Sequence, residues 1–351
     1  MSWGQLPSQA IDPKNNPRTQ EKVELGRLLF FDPILSSSRR VACATCHNPR
    51  WAWTDGRATP IGVGGKGLGP DRVFDQPNNS PRSPRNTPTL LNVGFIGLVS
   101  GQTLNVELAP LFWDSRIRGL EQQALVPIGT HGEMLGDDQD PSRAVAEAVV
   151  RLRSIPEYIQ RFQNVFGPSA PETISADRLG KALAAFERTL LSSKTPFDRY
   201  LGGDLSALTP LQTRGLIAFQ KAGCQQCHGG PMLSDFETHV LGVPDADPLG
   251  REAVRTPSLR NVTATGPYMH NGVHRSLREV LKFYDDLAER VSETLDGGDQ
   301  TAQPPLDPLL RQLQLDPEDF EPIESFLDAV SSADYDHSEP TRIPSGLPRN
   351  P

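Results

Sequence analysis

"CATCH" (Cys43–His47) and "CQQCH" (Cys224–His228) between them contain all four cysteines of this 351-residue chain. Cys-x-x-Cys-His is the spacing at which two thiols can form thioethers to a porphyrin edge while the next residue offers its imidazole to the iron, the attachment signature of a c-type haem. A structural zinc site needs four ligands, and each copy brings only three close together. A redox dithiol is expected beside a βαβ pattern, and none is apparent. One such pentapeptide arises by chance, but two that consume every cysteine point to two covalent haems. Cys43, Cys46 and His47 would hold one, and Cys224, Cys227 and His228 the other. Haems of this kind are attached outside the cytoplasm, so a periplasmic location is expected.

The rest of the composition fits that reading. The net charge is −8, which argues against nucleic acid and favours a neutral or basic partner. The longest apolar run, "VGFIGLV" (Val93–Val99), falls far short of the roughly 18 residues that span a bilayer, so no membrane span is expected. The opening "MSWGQLPSQA" lacks the charged and apolar parts of a signal peptide, and a leader is expected to have been removed or replaced. The 33 prolines and 30 glycines predict long loops between fairly short helices.

The fold class predicted is mostly α, with two cytochrome c-like haem domains and long irregular loops. The first domain, residues 20–195, opens with a helical "EKVELGRLLFFD" whose Val23, Leu25, Leu28 and Leu29 are apolar anchors. An irregular stretch from Asn48 to about Gly136 is too long for a bare loop in a compact domain, and a large cofactor could organise it. Helical patterns resume at "PSRAVAEAVVRLRSI" and "SADRLGKALAAFERTLLS". "SSKTPFDRYLGGDLSALTP" reads as a linker. The second domain, residues 196–332, delivers its haem motif at the end of "LQTRGLIAFQKAG" and closes on a stripe of Phe320, Ile323, Phe326 and Leu327. Residues 333–351 form a polar, proline-rich tail, either disordered or draped over the surface.

Function depends on the second axial side of each iron. An iron closed by a second protein ligand carries electrons, whereas an open one can activate a small oxidant. For the haem of His228 the downstream candidates are Met232, His239, Tyr268, Met269, His270, His274 and Tyr284. Ser276 and Glu279 fit a capping box, which starts a helix at Ser276 and places Leu277, Val280, Leu281 and Tyr284 on one face. Tyr284 is therefore buried, and its hydroxyl is either a core group bonded to backbone or an iron ligand. For the haem of His47, no histidine or methionine lies between His47 and Thr130, and His131 or Met134 could close the iron.

The stretches "RNTPTLLNV", "LFWDSR", "EQQALVPI", "GEM", "LRNV" and "TGPYMHNG" resemble the bacterial di-haem cytochrome c peroxidase and MauG superfamily over roughly residues 21–330. In the peroxidase branch a methionine on the helix after "PYxHxG" ligates the electron-transfer haem, and in the MauG/MbnH-type branch a tyrosine takes that place. Tyr284 stands there, fourteen residues after His270, and the resemblance favours it as ligand. The resemblance also implies an open first haem, with Glu133 as the acid beside bound peroxide and Gln123 and Pro127 in the same pocket. Trp113 would sit between the haems and relay electrons. Asn86, Thr265 and Pro267 would coordinate a calcium ion, and His270 would lie near the second haem, with His274 at the surface. One departure matters: where MauG has the tryptophan through which a bound protein is oxidised, this chain has Ala222. Trp51 and Trp53 are other relays or plain packing.

The expected function is therefore that of a periplasmic di-haem oxidoreductase. It would use hydrogen peroxide to oxidise a partner, a protein side chain or a small redox protein. A conventional cytochrome c peroxidase and a non-catalytic electron carrier are the alternatives.

Overall fold

A computed structural model of the chain describes residues 3–75, 83–168, 173–244, 252–295 and 306–349, with the backbone alone for 289–295. The described residues form ten α-helices joined by turns, with strands of two or three residues only. The helices are α1 (Gln20–Phe31), α2 (Cys43–Cys46), α3 (Leu120–Gln123), α4 (Pro141–Arg153), α5 (Pro156–Phe166), α6 (Ala176–Glu187), α7 (Pro196–Leu201), α8 (Pro210–Lys221), α9 (Leu277–Leu295) and α10 (Phe320–Ala329). Three antiparallel strand pairs, Gly65–Lys66 with Val73–Phe74, Pro110–Leu111 with Ile117–Arg118, and Thr238–Val240 with Ala253–Arg255, pin the loops.

Helix starts follow side-chain chemistry. Thr19 Oγ1 accepts from the Lys22 amide at 3.2 Å, and Thr209 and Gln212 close a reciprocal capping box on α8. At α9, Ser276 Oγ accepts from the Glu279 amide at 3.2 Å while the Glu279 carboxylate accepts from the Arg275 amide at 2.6 Å. The predicted box is present, and its return bond goes one residue earlier than the pattern requires.

Two cores form around two helix crossings. Leu25, Leu29 and Phe30 of α1 pack with Leu183 and Phe186 of α6, and Leu216 and Phe219 of α8 pack with Ile323 and Phe326 of α10. Each crossing is closed by a glycine. A Cβ on Gly26 would lie 2.0 Å from the Ala182 carbonyl oxygen, and one on Gly215 would lie 1.8 Å from that of Pro322. Backbone approaches backbone there, which no larger residue permits.

The parallel continues past each haem motif. "NTPTLLNV" (Asn86–Val93) and "RTPSLRNV" (Arg255–Val262) are one turn used twice. Asn92 and Asn261 both take φ +61°. The Asn92 side chain donates to the Ser192 carbonyl at 2.8 Å and that of Asn261 to the Ser332 carbonyl at 2.6 Å, just beyond α6 and α10. Reading the two stretches separately conceals this internal repeat.

One expectation changes, and one of two stated alternatives is met. The stretch read as a linker contains α7, whose Phe197 is in the second core and whose Asp198 is paired in bidentate fashion with the buried Arg260 at 2.9 Å on both oxygens. The tail is draped: Ile343 is buried, Asp336 pairs with Arg27 at 2.5 Å, and Arg342 pairs with Glu157 at 2.6 Å.

Gly26→Ala and Gly215→Ala should each destabilise the fold by about 1–3 kcal/mol or more through forced separation of the helix pairs. Chemical denaturation midpoints are the check, and an unchanged midpoint in both variants would refute the close-crossing account.

Candidate haem site and an adjoining cavity

Both motif histidines are anchored in the same way. His47 Nδ1–H donates to the Trp53 carbonyl at 3.1 Å, and His228 Nδ1–H donates to the Leu233 carbonyl at 3.0 Å. Trp53 and Leu233 both have positive φ, which turns these carbonyls back toward the motif. A donor bond at Nδ1 fixes the neutral tautomer with its lone pair on Nε2, the atom an iron needs. Burial drives His47 down to about 4 and lowers His228 as well, so both rings are neutral at physiological pH. The four cysteines form no disulfides, and burial pushes the thiols of Cys43 and Cys224 up to about 12.

A cavity of about 460 Å³ opens in front of the first motif, within the range of small-molecule and cofactor sites. Cys43, Cys46 and His47 form one side, and Gln123, Pro127 and Glu133 lie among the rest of its lining. The three pocket residues expected from sequence thus share one cavity with the first motif. Burial raises the Glu133 carboxyl to about 7, with Arg116 pulling it back down. His131 and Met134 line the same space: His131 is tethered through Nδ1 to the Gly136 carbonyl at 3.1 Å, and Met134 is packed in the first core.

A smaller cavity, about 110 Å³, adjoins it. Asn86, Thr265 and Pro267, the residues expected to hold calcium, all line it. Asn86 Nδ2 donates to the Arg57 carbonyl at 2.7 Å, leaving the amide oxygen for a hard cation. Asn86, Trp113 and Arg255 line both cavities and form the wall between them. Trp113 Nε1–H donates to the Asn86 carbonyl at 2.8 Å, and the Asn86 amide donates to the His270 carbonyl at 2.7 Å. The Trp113 and His270 rings meet edge to face at 6.4 Å. His270 is buried, with Nε2 3.5 Å from a Glu252 oxygen.

Arg255 was missed in the sequence. It occupies the position in the second repeat that Asn86 occupies in the first, so aligning the two copies would have flagged it. It is buried, its guanidinium donates to the Phe112 and Thr256 carbonyls, and no carboxylate among the described residues pairs with it. An unpaired buried cation facing both cavities suits an anionic cofactor, as the carboxylates of a haem would be. The larger cavity fits a haem against Cys43, Cys46 and His47, and at the second motif the anchored His228 ring beside Cys224 and Cys227 offers the same donor set.

Tyr284 projects from α9 toward the second motif. Burial, with the Cys224 and Cys227 thiols nearby, pushes its phenol well above the ordinary range. Among the other candidates, His239 is held between two carboxylates, with Nδ1 2.7 Å from Asp307 and Nε2 3.1 Å from Asp235, so neither nitrogen is free. Its ring, Asp235 and Cys227 cluster closely enough to suggest a metal, but those bonds already occupy it. Met232 is buried in a small separate cluster with Leu6 and Phe236. His274, expected at the surface, is half-buried against Phe283, ring centroids 5.3 Å apart. Trp53 is fully buried with its indole donating to the Asp336 carbonyl at 3.1 Å, and Ala222 is buried at the end of α8. No described helix is long and apolar enough to cross a membrane.

The family model for di-haem cytochrome c peroxidase matches residues 20–206. The methylamine utilization protein MauG of Methylophilus methylotrophus is 38% identical over 291 residues, covering 79% of this chain and 76% of that protein. Cytochrome c551 peroxidase of Pseudomonas aeruginosa is 34% identical over 294 residues, covering 79% and 75%. A solved MauG-like protein associated with microbial copper homeostasis superposes with a TM-score of 0.70 at 27% identity, covering 93% of this chain and 94% of that one. The diheme peroxidase BthA of Burkholderia thailandensis shares the fold, with a TM-score of 0.66 at 22% identity, covering 98% and 96%. The relatives are peroxidases and MauG proteins, so the protein is an enzyme of the peroxidase class with two haems, peroxide as substrate and a redox partner: the chain belongs to the di-haem cytochrome c peroxidase and MauG family.

Proposed function

We propose that this enzyme is of the MauG-like kind, a periplasmic protein that opens one haem to peroxide, closes the other with Tyr284, and oxidises a partner at a distance. The observation that carries this is the Tyr284 phenol facing the second haem motif from α9, a helix without methionine. The haems, attached through Cys43, Cys46, Cys224 and Cys227, would supply the redox chemistry when bound. A phenolate is an anionic donor that favours the oxidised state of its metal, where a methionine favours the reduced one.

The chain's own residues divide the remaining work. His47 and His228 present Nε2 because their Nδ1 atoms are tied to backbone. Glu133, raised to about 7 by burial, can take a proton from one peroxide oxygen and return it to the other. Gln123 and Pro127 shape that side of the cavity. Trp113, bonded to Asn86 in the shared wall, would pass electrons between the sites. A calcium ion held by Asn86, Thr265 and Pro267 would stiffen the same wall. The partner is a protein presenting an oxidisable aromatic side chain, and with Ala222 where MauG has its exit tryptophan, the contact surface differs from MauG's. The conventional reading, peroxide reduction fed by a small cytochrome, draws on the likeness to cytochrome c551 peroxidase.

The ferric protein should give one high-spin and one low-spin electron paramagnetic resonance signal, both lost on adding one equivalent of peroxide. A low-spin signal typical of histidine–methionine ligation, with fast turnover of a reduced cytochrome, would establish the conventional reading instead. Tyr284→Met should raise the potential of the low-spin centre on the order of a tenth of a volt or more, within the roughly 0.8 V that axial ligands span. Spectroelectrochemical titration reads this, and an unmoved potential removes Tyr284 as ligand.

Glu133→Gln should slow the reaction with peroxide by about 10²–10⁴-fold. Because Glu133 acts as a base, the wild-type rate should climb as pH rises through about 7. A rate that is flat there, measured by stopped flow, would remove Glu133 from the proton path.

A further inference from the structure

The last turn of α6 places a carboxylic acid in the wall of the larger cavity, where neither packing nor pairing accounts for it. Glu187 lines that cavity on the side of Cys43 and is only 5% exposed. Its Oε2 is fully buried and has no hydrogen-bond partner. A buried polar oxygen left without a partner costs about 1–3 kcal/mol, so a stable fold keeps one where something else uses it.

The charged groups around it are all committed elsewhere. Arg188, the next residue, is bound in bidentate fashion to Glu121 of α3 at 2.6 and 2.9 Å. On α1, Lys22 donates to Asn16 and Pro17, and Arg27 donates to Asp336 and Ser338. On α4, Arg151 donates to the carbonyls of Ile34 and Leu35, and Arg153 to that of Ile174. On α2, Cys43 is the nearest titratable group and is neutral. Of the arginines that line the same cavity, Arg85 pairs with Glu252, Arg116 pairs with Asp114, and Arg255 donates to the Phe112 and Thr256 carbonyls, so among the described residues no cation is paired with Glu187. Burial raises it to about 8, Arg188 pulls it back and Glu121 pushes it further up. At neutral pH it carries its proton.

We propose that Glu187 is a second proton store of the peroxide cavity, distinct from Glu133. Reduction of one hydrogen peroxide to two waters consumes two electrons and two protons. The electrons come from the partner that the enzyme oxidises. Glu133 moves a proton from one peroxide oxygen to the other and adds none to the total. Of the two protons consumed, Glu187 supplies one from Oε2, relayed by water across the cavity to the oxygen that leaves as the second water, solvent supplies the other, and the resulting carboxylate is reprotonated from solvent. Glu187 thus acts through water and Glu133 and does not touch the substrate. The proposal rests on the peroxide-cavity reading above.

The test uses the haem-loaded protein and two readouts. In the infrared difference spectrum between pH 6 and pH 10, wild type should show a protonated-carboxyl C=O band that shifts in deuterated water. Glu187→Gln should remove the component of that band that titrates near pH 8, and Glu133→Gln should leave that component in place. In stopped flow, the wild-type peroxide reaction should fall again above about pH 8, because Glu187 acts as the protonated form. Glu187→Gln should abolish that upper limb and lower the optimum rate at least about tenfold, while Glu187→Asp should restore the limb in part. A carboxylate at residue 187 at pH 6 overturns the proposal, as does loss of the band with an unchanged pH profile. Should wild type fail to react with peroxide at all, the peroxide-cavity reading falls, while the infrared band still reports on Glu187 independently.

Discussion

The structure depends on a pair of backbone carbonyls that face the wrong way for ordinary secondary structure. Trp53 and Leu233 hold positive φ so that their oxygens can accept from Nδ1 of His47 and His228. A non-glycine residue in that region costs on the order of 1 kcal/mol, and each site bears it. In return, two imidazoles that would otherwise flip or protonate are fixed as neutral donors through Nε2. The fully buried Trp53 ring, wedged edge-on among Phe30, Phe31 and Phe186 at 5.7–6.3 Å, makes the first of these turns hard to undo. Its tie to the Asp336 carbonyl extends the anchorage to the C-terminal strap. The polar C-terminal tail therefore braces the turn that holds His47.

The repeat explains why the two cavities meet where they do. Each copy of the Thr-Pro-x-Leu-x-Asn-Val turn docks its asparagine at the end of the partner helix, leaving the residue before the threonine at the common wall. In one copy that residue is Asn86, and in the other it is Arg255. A symmetric scaffold thereby delivers an asymmetric pair. Asn86 offers an amide that binds the Trp113 indole through its backbone and can bind a cation through its side chain. Arg255 offers an unpaired positive charge. Duplication sets the geometry, and divergence at one register position sets the chemistry.

Much of this was legible in the sequence, and the reasons are local. The haem motifs, the capping box before α9 and the apolar stripe of α10 are written within a few residues, where spacing alone carries the physics. Tyr284 was placed on the correct face by helical period, though period could not say what it faces. What escaped depends on tertiary approach. Asp198 looks like a linker acid until Arg260, sixty-two residues away, closes a bidentate pair on it. His274 looks like a surface residue until Phe283 covers one side of it. Glu187, inside a helix rich in alanine, has no motif around it, and only the absence of any partner in three dimensions marks it out.

The two cavity acids answer to different neighbours. Removing a carboxylate from water costs several kcal/mol unless a cation or donors compensate, and Arg255, which no carboxylate among the described residues pairs with, lines both cavities. Charging Glu133 and Glu187 together would place two anions in the wall of one cavity, where Arg85, Arg116 and Arg255 also lie. Burial raises both acids, Glu133 to about 7 and Glu187 to about 8, and the charges that act on them are Arg116 in the first case and Arg188 with Glu121 in the second. Glu133 loses its proton first because Arg116 lies near it, whereas Arg188 is held on Glu121 and helps Glu187 less. The order of deprotonation is thus set by which arginine each acid can reach, and it leaves the cavity with a base and an acid over the same narrow range of pH.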